Sequence, residues 1–239
     1  MKEEVLLIIP AYNEQDNILN TYKKIEDYNK KNKTYYDVIV INDGSTDKTE
    51  EILIKNKIPH ITLIHNLGIG GAVQTGYKYA YENNYDVAVQ FDGDGQHDVS
   101  YVENIIEPII DDKADFTIGS RYINPTTSEF KSTFARQMGI KLISKVIKIV
   151  THKKVFDTTS GFRACNKKVI KDFAQSYPTE YPEPITTTEL LKKGYRLEEI
   201  PVSMNERIGG TSSIKAWKNL YYMINVFLSI LMVAIRRYK

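Results

Sequence analysis

The chain has 239 residues, 42% hydrophobic and 26% charged, with a formal net charge of +2. That length suits one α/β core with room for an appendage, and the near balance of charge argues against nucleic acid as a partner. One cysteine, Cys165, excludes an internal disulfide and a cysteine-based metal site; it reads as a small buried hydrophobe in a reducing compartment.

No leader peptide is recognisable. The first apolar run, residues 5–9, is short and is closed by Pro10, so a cytoplasmic location is expected. That run is continuous, the pattern of a strand covered on both faces. Residues 17–31 have a helical period, with Ile18, Leu19, Tyr22 and Ile25 on one side. Residues 37–41 form a second apolar strand ending in Asn-Asp-Gly-Ser. Asp47 is placed to cap a helix through Lys55. A third strand is expected at 61–64. The glycine-rich turn 68–71 leads into a helix through Tyr81. Residues 87–91 read as a fourth strand ending in Asp-Gly-Asp, 101–110 as a helix, and 116–118 as a fifth strand. The second half is less regular. Residues 132–150 read as a basic amphipathic helix, 157–163 as a polar turn, 185–193 as a helix and 196–204 as a strand. A Gly- and Ser-rich stretch follows at 205–213, and the chain ends in a hydrophobic helix from Ile214. Its apolar run, 220–235, is broken only by Asn225 and Ser229. It falls short of the roughly 20 residues a spanning helix needs.

Strands alternating with helices at this spacing predict an α/β fold with a mainly parallel sheet. Ligands bind such sheets beyond the carboxyl ends of the strands. The polar clusters 10–14, 42–47, 66–71 and 92–96 all fall at those ends, and so on one rim. Asp92-Gly93-Asp94 is the centre of that rim. Two carboxylates after a buried strand are suited to a hard divalent cation such as Mg²⁺ or Mn²⁺, which would neutralise a diphosphate. The glycine lets the backbone approach a ligand closely. Gln96 and His97 follow in the same turn. Asp43 can accept from the N–H of a uracil or guanine base, and Tyr12 and Glu14 can hold base and ribose. Residues 66–71 precede a helix N-terminus, a natural anion site. Arg121 lies on the same rim. Arg136, Arg163 and Arg207 are candidates for phosphate contacts, because guanidinium pairs well with phosphate.

Taken together, the segments IPAYNE (9–14), VINDGSTD (40–47), NLGIGGAVQTG (66–76), QFDGDGQHD (90–98), GSRY (119–122), DTTSGFRA (157–164) and ERIGGTSSI (206–214) resemble the family-2 glycosyltransferases. More narrowly, they are similar to the branch that makes polyprenyl-phosphate sugars, the dolichol-phosphate mannose synthase-like enzymes. The resemblance implies a nucleotide-sugar-binding fold of the GT-A type. It implies a glycosyltransferase domain over 1–213 and a membrane-associating or partner-binding helix over 214–239. It places Pro10, Tyr12, Glu14, Ile41 and Asp43 on the nucleoside, and Asp92, Gly93, Asp94 and Gln96 at the diphosphate. Asp92, Asp94 and Gln96 would surround the metal. Arg121 would lie near the transferred sugar and the acceptor phosphate, and Arg207 would clamp the donor. Members of that branch commonly carry a lysine where this chain has Ser213, with Lys215 two residues on. That departure weighs against GDP-mannose and leaves a uridine nucleotide at least as suitable.

Two acceptors remain open. A sugar hydroxyl needs a general base, for which Asp157 and Glu183 are the candidates. A polyprenyl phosphate is already anionic and needs positioning, by Arg121, Arg136 and Ser132. The Q-x-x-R-W signature of processive polysaccharide synthases is absent, and the Thr-Thr-Ser-Gly-Phe turn at 158–162 stands where many hydroxyl-directed relatives carry an acidic pair. The expected reaction is therefore inverting, in-line transfer to a polyprenyl phosphate, with Asp94, Arg121 and Asp157 at the chemistry. A non-catalytic nucleotide-sugar-binding subunit is the alternative from another class. Trp217, Tyr221 and Tyr222, with Lys215, Lys218, Arg236 and Arg237 flanking the apolar run, suit a helix lying on an anionic leaflet. Docking to a small integral membrane protein, or packing on the domain, are the other readings. A peripheral site on the cytoplasmic face of the cell membrane is expected.

Overall fold

The computed structural model of the chain describes residues 3–123, 134–203 and 216–238, with side chains for all of these except 134–136 and 216–222. Seven strands form one sheet: β1 (Val5–Ala11), β2 (Tyr36–Asn42), β3 (His60–Thr62), β4 (Val87–Gln90), β5 (Phe116–Ser120), β6 (Arg163–Asn166) and β7 (Leu197–Pro201). Their spatial order is β3-β2-β1-β4-β6-β5-β7. β6 is antiparallel to both its neighbours, while the other pairings are parallel. It alone among the described strands runs against the rest.

β1 is apolar along its whole length because both its faces are covered. On β1, Val5, Leu7 and Ile9 enter one core cluster and Leu6 and Ile8 the other. The first layer is built by α1 (Ile18–Asn32), α2 (Thr49–Lys55) and α4 (Val102–Ile110). The second is built by α3 (Gly68–Glu82), α5 (Phe134–Thr151), α6 (Lys167–Gln175), α7 (Pro182–Lys192) and α8 (Ala216–Ile235). Gly76 of α3 lies so close to β1 that an added Cβ would stand 2.2 Å from Ile8 Cγ2, so only glycine lets this helix pack there.

Several expectations change. The polar turn at 157–163 gives way at Arg163 to β6, and α6 follows directly, capped by Asn166, whose side chain accepts from the N–H groups of Lys168 and Val169. The third strand is His60–Thr62, short of the expected 61–64, and Ile64 is exposed. α7 starts earlier than expected, with Pro182 in its first turn, where a missing N–H costs nothing. β7 ends at Pro201, and Met204 lies outside the described residues. α8 is not an isolated appendage: Val226 and Ile230 join the second core cluster, and the helix packs on α7 and α5. No described helix is long and apolar enough to cross a membrane.

Candidate active site

The loops that follow β1 and β2 are tied to each other. Asn13 donates its N–H to Ser45 Oγ at 3.0 Å, and its side-chain oxygen accepts from Thr46 N–H at 2.8 Å. Glu14 N–H reaches Thr49 Oγ1 at 2.9 Å. Asn13 takes a left-handed conformation (φ 56°), as does Gly44 (φ 62°), where a Cβ would meet the Asn66 backbone at 2.9 Å. The N-cap of α2 is Lys48 and not the expected Asp47, which stands one residue earlier and accepts from Thr49 N–H and Gln15 N–H. Burial raises its pKa, but these hydrogen bonds outweigh that and hold the carboxyl below its usual range.

Tyr12 stands 47% exposed on this rim, free of the core and open for stacking. Asp43 is buried, and its Oδ1 accepts the Leu67 N–H at 2.7 Å, so part of its accepting capacity already holds the start of α3. Pro10 and Ile41 are register partners at the strand ends, and both are buried. Ile41 packs in the second core cluster. Its side chain therefore faces the core and not a nucleoside, and only its backbone stands at the rim.

The segment after β4 alternates. Phe91, Gly93, Gly95 and His97 are buried, while Asp92, Asp94 and Gln96 are half-open. The three sequence-predicted metal residues are thus the open positions of one turn. Gly93 packs against the β1 end, where a Cβ would lie 3.2 Å from Pro10 O, and its carbonyl accepts from Thr21 Oγ1 at 3.1 Å. Asp94 Oδ1 accepts from Gln96 N–H at 3.0 Å. Among the described residues no three His, Cys, Asp or Glu side chains converge as a ready-made metal site. Two carboxylates and an amide fit a hard cation whose remaining positions are filled by substrate phosphate oxygens, the usual manner of holding Mg²⁺.

Two further groups beside Asp92 have no role assigned by the sequence. His97 is buried and stacks on Phe162 (centroids 4.6 Å apart, planes 19° apart). Burial pushes its imidazole down to about 3, with Asp94 raising it and Arg121 lowering it further. Gly161 lies against Asp92, where a Cβ would meet the two carboxylate oxygens at 3.0 and 3.1 Å. Neither has a local signature, since each matters through a distant contact.

Because β6 is reversed, the segment before it returns to the same rim and brings Asp157 to Arg121. The Arg121 side chain is 6% exposed and the Asp157 side chain 0%. Arg121 Nε donates to Asp157 Oδ2 at 2.7 Å and Nη2 to Oδ1 at 2.8 Å, with Thr159 Oγ1 a further acceptor at 3.1 Å. Burial works to lower the guanidinium pKa, but hydrogen bonding and charge from Asp157 win and raise it. Asp157 N–H donates in turn to Glu199 Oε1 at 2.8 Å. Both Asp157 oxygens thus accept from Arg121, an arrangement suited to positioning the guanidinium.

Arg163 is enclosed in β6. Nε donates to Ser160 O at 2.6 Å and Nη1 to Thr186 Oγ1 at 3.0 Å, and Nη2 has no partner among the described residues. Its guanidinium is an interior group and not an open phosphate contact. Glu183, in the first turn of α7, is half-buried. Burial pushes its carboxyl up, Arg163 opposes this, and Asp92 adds to it, which places Glu183 in the electrostatic field of the site. Ser132 and Arg207 lie outside the described residues. Arg136 is in α5, where its side chain is not described.

The model of the family described as Glycosyl transferase family 2 matches residues 6–173. A UDP-N-acetylglucosamine–dolichyl-phosphate N-acetylglucosaminyltransferase of Methanococcus voltae is 32% identical over 218 residues, covering 83% of this chain and 84% of that protein. An undecaprenyl-phosphate mannosyltransferase of Micrococcus luteus is 28% identical, covering 88% and 87%. The crystal structure of glucosyl-3-phosphoglycerate synthase from Mycobacterium tuberculosis with Mn²⁺ and UDP-glucose superposes with a TM-score of 0.70. That match covers 99% of this chain and 81% of that one at 15% identity, a likeness of fold.

Proposed function

Since the chain belongs to Glycosyl transferase family 2, we propose that it moves a hexosyl or N-acetylhexosaminyl group from a uridine diphosphate sugar to a polyprenyl phosphate, with inversion, in cell-envelope glycan assembly. The observation that carries the acceptor is the commitment of both Asp157 oxygens to Arg121. With that carboxylate occupied, the turn offers no free base for a hydroxyl. A lipid phosphate attacks as an anion and needs only to be held. Arg121, fixed by Asp157, holds positive charge beside Asp92 and the acceptor path. The names of the two relatives, both transferases to a polyprenyl or dolichyl phosphate, support the same reading.

On the donor side, Tyr12 stacks on the base, Asp43 accepts from its N–H through the oxygen left beside Leu67, and Glu14 holds the ribose. Asp92, Asp94 and Gln96 would hold Mg²⁺ or Mn²⁺, which supplies charge neutralisation to the departing diphosphate. Glu183 favours a second reading, transfer to a sugar hydroxyl, because a carboxyl raised by burial near the site has the properties of a base.

α8 supports work at a membrane surface. Ile224, Phe227, Leu228, Leu231, Met232 and Ile235 are exposed at helical spacing, opposite the buried Val226, Ile230 and Val233, and Arg236 and Arg237 stand exposed at the end. An apolar exposed stripe with basic residues at its end suits a helix lying in an anionic interface. The proposed location is accordingly peripheral, on the cytoplasmic face of the membrane. A small integral membrane protein would be the alternative occupant of the stripe.

The full chain, incubated with Mn²⁺, polyprenyl phosphate and UDP-GlcNAc, UDP-glucose, UDP-galactose or GDP-mannose in turn, is assayed by mass spectrometry of the lipid. The expected product is a sugar phosphodiester, lost with Asp94→Asn and kept within several-fold with Glu183→Gln. A loss of about 10²-fold or more with Glu183→Gln would favour the hydroxyl reading. Turnover unaffected by both metal removal and Asp94→Asn would end the proposal.

A further inference from the structure

Resting on the reading of Asp92 as a cation ligand, we propose that His97 is the positioning residue that aims the Asp92 carboxylate. The Asp92 N–H points at His97 Nδ1 from 2.9 Å. A backbone N–H can only donate, so Nδ1 presents its lone pair, and the proton of the neutral ring is on Nε2. Nε2 lies 3.3 Å from Oδ2 of the same aspartate. The two ring nitrogens diverge too far to hydrogen-bond both ends of one aspartate, so the bond is the main-chain one and the carboxylate only lies near the ring. The ring itself is held rigidly, stacked on Phe162 and edge-on to Phe91 at 5.4 Å.

Gly161 closes the other side of the carboxylate. A half-open aspartate of this kind would otherwise sample several rotamers, and each would place its oxygens differently toward a cation. Groups that orient a metal ligand from behind are worth about 10- to 100-fold in metal affinity. His97 does so by accepting the Asp92 N–H on a fixed aromatic shelf, while taking no place on the metal itself.

Three variants of the full chain separate the two contacts. His97→Gln keeps an amide donor where Nε2 stands. His97→Asn keeps an acceptor where Nδ1 stands, and His97→Phe keeps only the stacking. Mn²⁺ is titrated by electron paramagnetic resonance with UDP present, alongside melting of the metal-free proteins. The Asn variant is expected to bind Mn²⁺ within about threefold of wild type, and the Gln and Phe variants about 10- to 100-fold more weakly. If Phe fails to fold, the Gln–Asn contrast decides. Wild-type Mn²⁺ affinity in the Gln variant, or in a folded Phe variant, overturns the proposal. A wild type that takes up no Mn²⁺ with UDP removes the metal reading as well.

Discussion

Replacing Asp157 with Asn tests the buried pair at the rim most directly. The side chain keeps its shape but loses its charge, and its amide nitrogen must face either Nε or Nη2 of Arg121, donor against donor. The pair lies at 2.7 Å, where the gross attraction at an effective dielectric near 20 is about 6 kcal/mol. Part of that survives as a contact between the guanidinium and the remaining carbonyl. Removing one partner from a buried pair costs about 3–5 kcal/mol, because the other charge is left uncompensated. For a chain of this size each kcal/mol moves the melting temperature by about 2–4 °C. Calorimetry should therefore show a drop of about 6–20 °C. Transfer to polyprenyl phosphate should fall about 10²-fold as Arg121 shifts. The double variant Arg121→Met, Asp157→Leu should regain most of the stability and none of the activity, since a buried pair replaced whole is often neutral. An Asn variant melting within about 2 °C of wild type would refute this account. So would a double variant as unstable as the sum of the single ones.

Gly161→Ala pushes a methyl to 3.0 and 3.1 Å from the Asp92 oxygens, and the backbone there is not in the left-handed region, so the carboxylate must give way. Overpacking of this kind costs about 1–3 kcal/mol; transfer activity is expected to fall more steeply than stability does, and unchanged kcat would contradict the placement of Asp92. Asp115 accepts from Arg196 N–H at 2.9 Å, Arg196 Nε at 3.1 Å and Asn166 Nδ2 at 2.8 Å. Its carboxyl is held below the usual range chiefly by the Arg196 side chain, with burial opposing. A depressed folded value means the stabilisation is complete above the unfolded value, about 3.9, and is lost as pH falls through the folded one. Acid melting curves should show Asp115→Asn less stable than wild type at neutral pH, with the gap closing below about pH 4; a constant gap would reject the linkage.

The chain's local pattern made the first half legible. Strands buried on both faces read as near-continuous apolar runs, and β1, residues 38–41 of β2 and residues 87–89 of β4 do so. The polar residues just after them have one edge to go to, so Tyr12, Asp43, Asp92 and Asp94 could be placed together. The second half resisted for equally physical reasons. β6 is four residues long and opens with a buried arginine, so it carries no strand signature. α6 follows it immediately, without a turn to announce it.

What the order of residues determined alone was the alternation of strand and helix, the rim on which the polar clusters meet, and the Asp-Gly-Asp turn. All of these depend on neighbours along the chain. The reversal of β6 depends on which strand edges are left to pair, and it carries Asp157 to Arg121 and Gly161 to Asp92. α8 is apolar on nearly every side, so no period in its sequence marks a buried face. Only packing against α5 and α7 decides which residues enter the core and which remain as an exposed stripe.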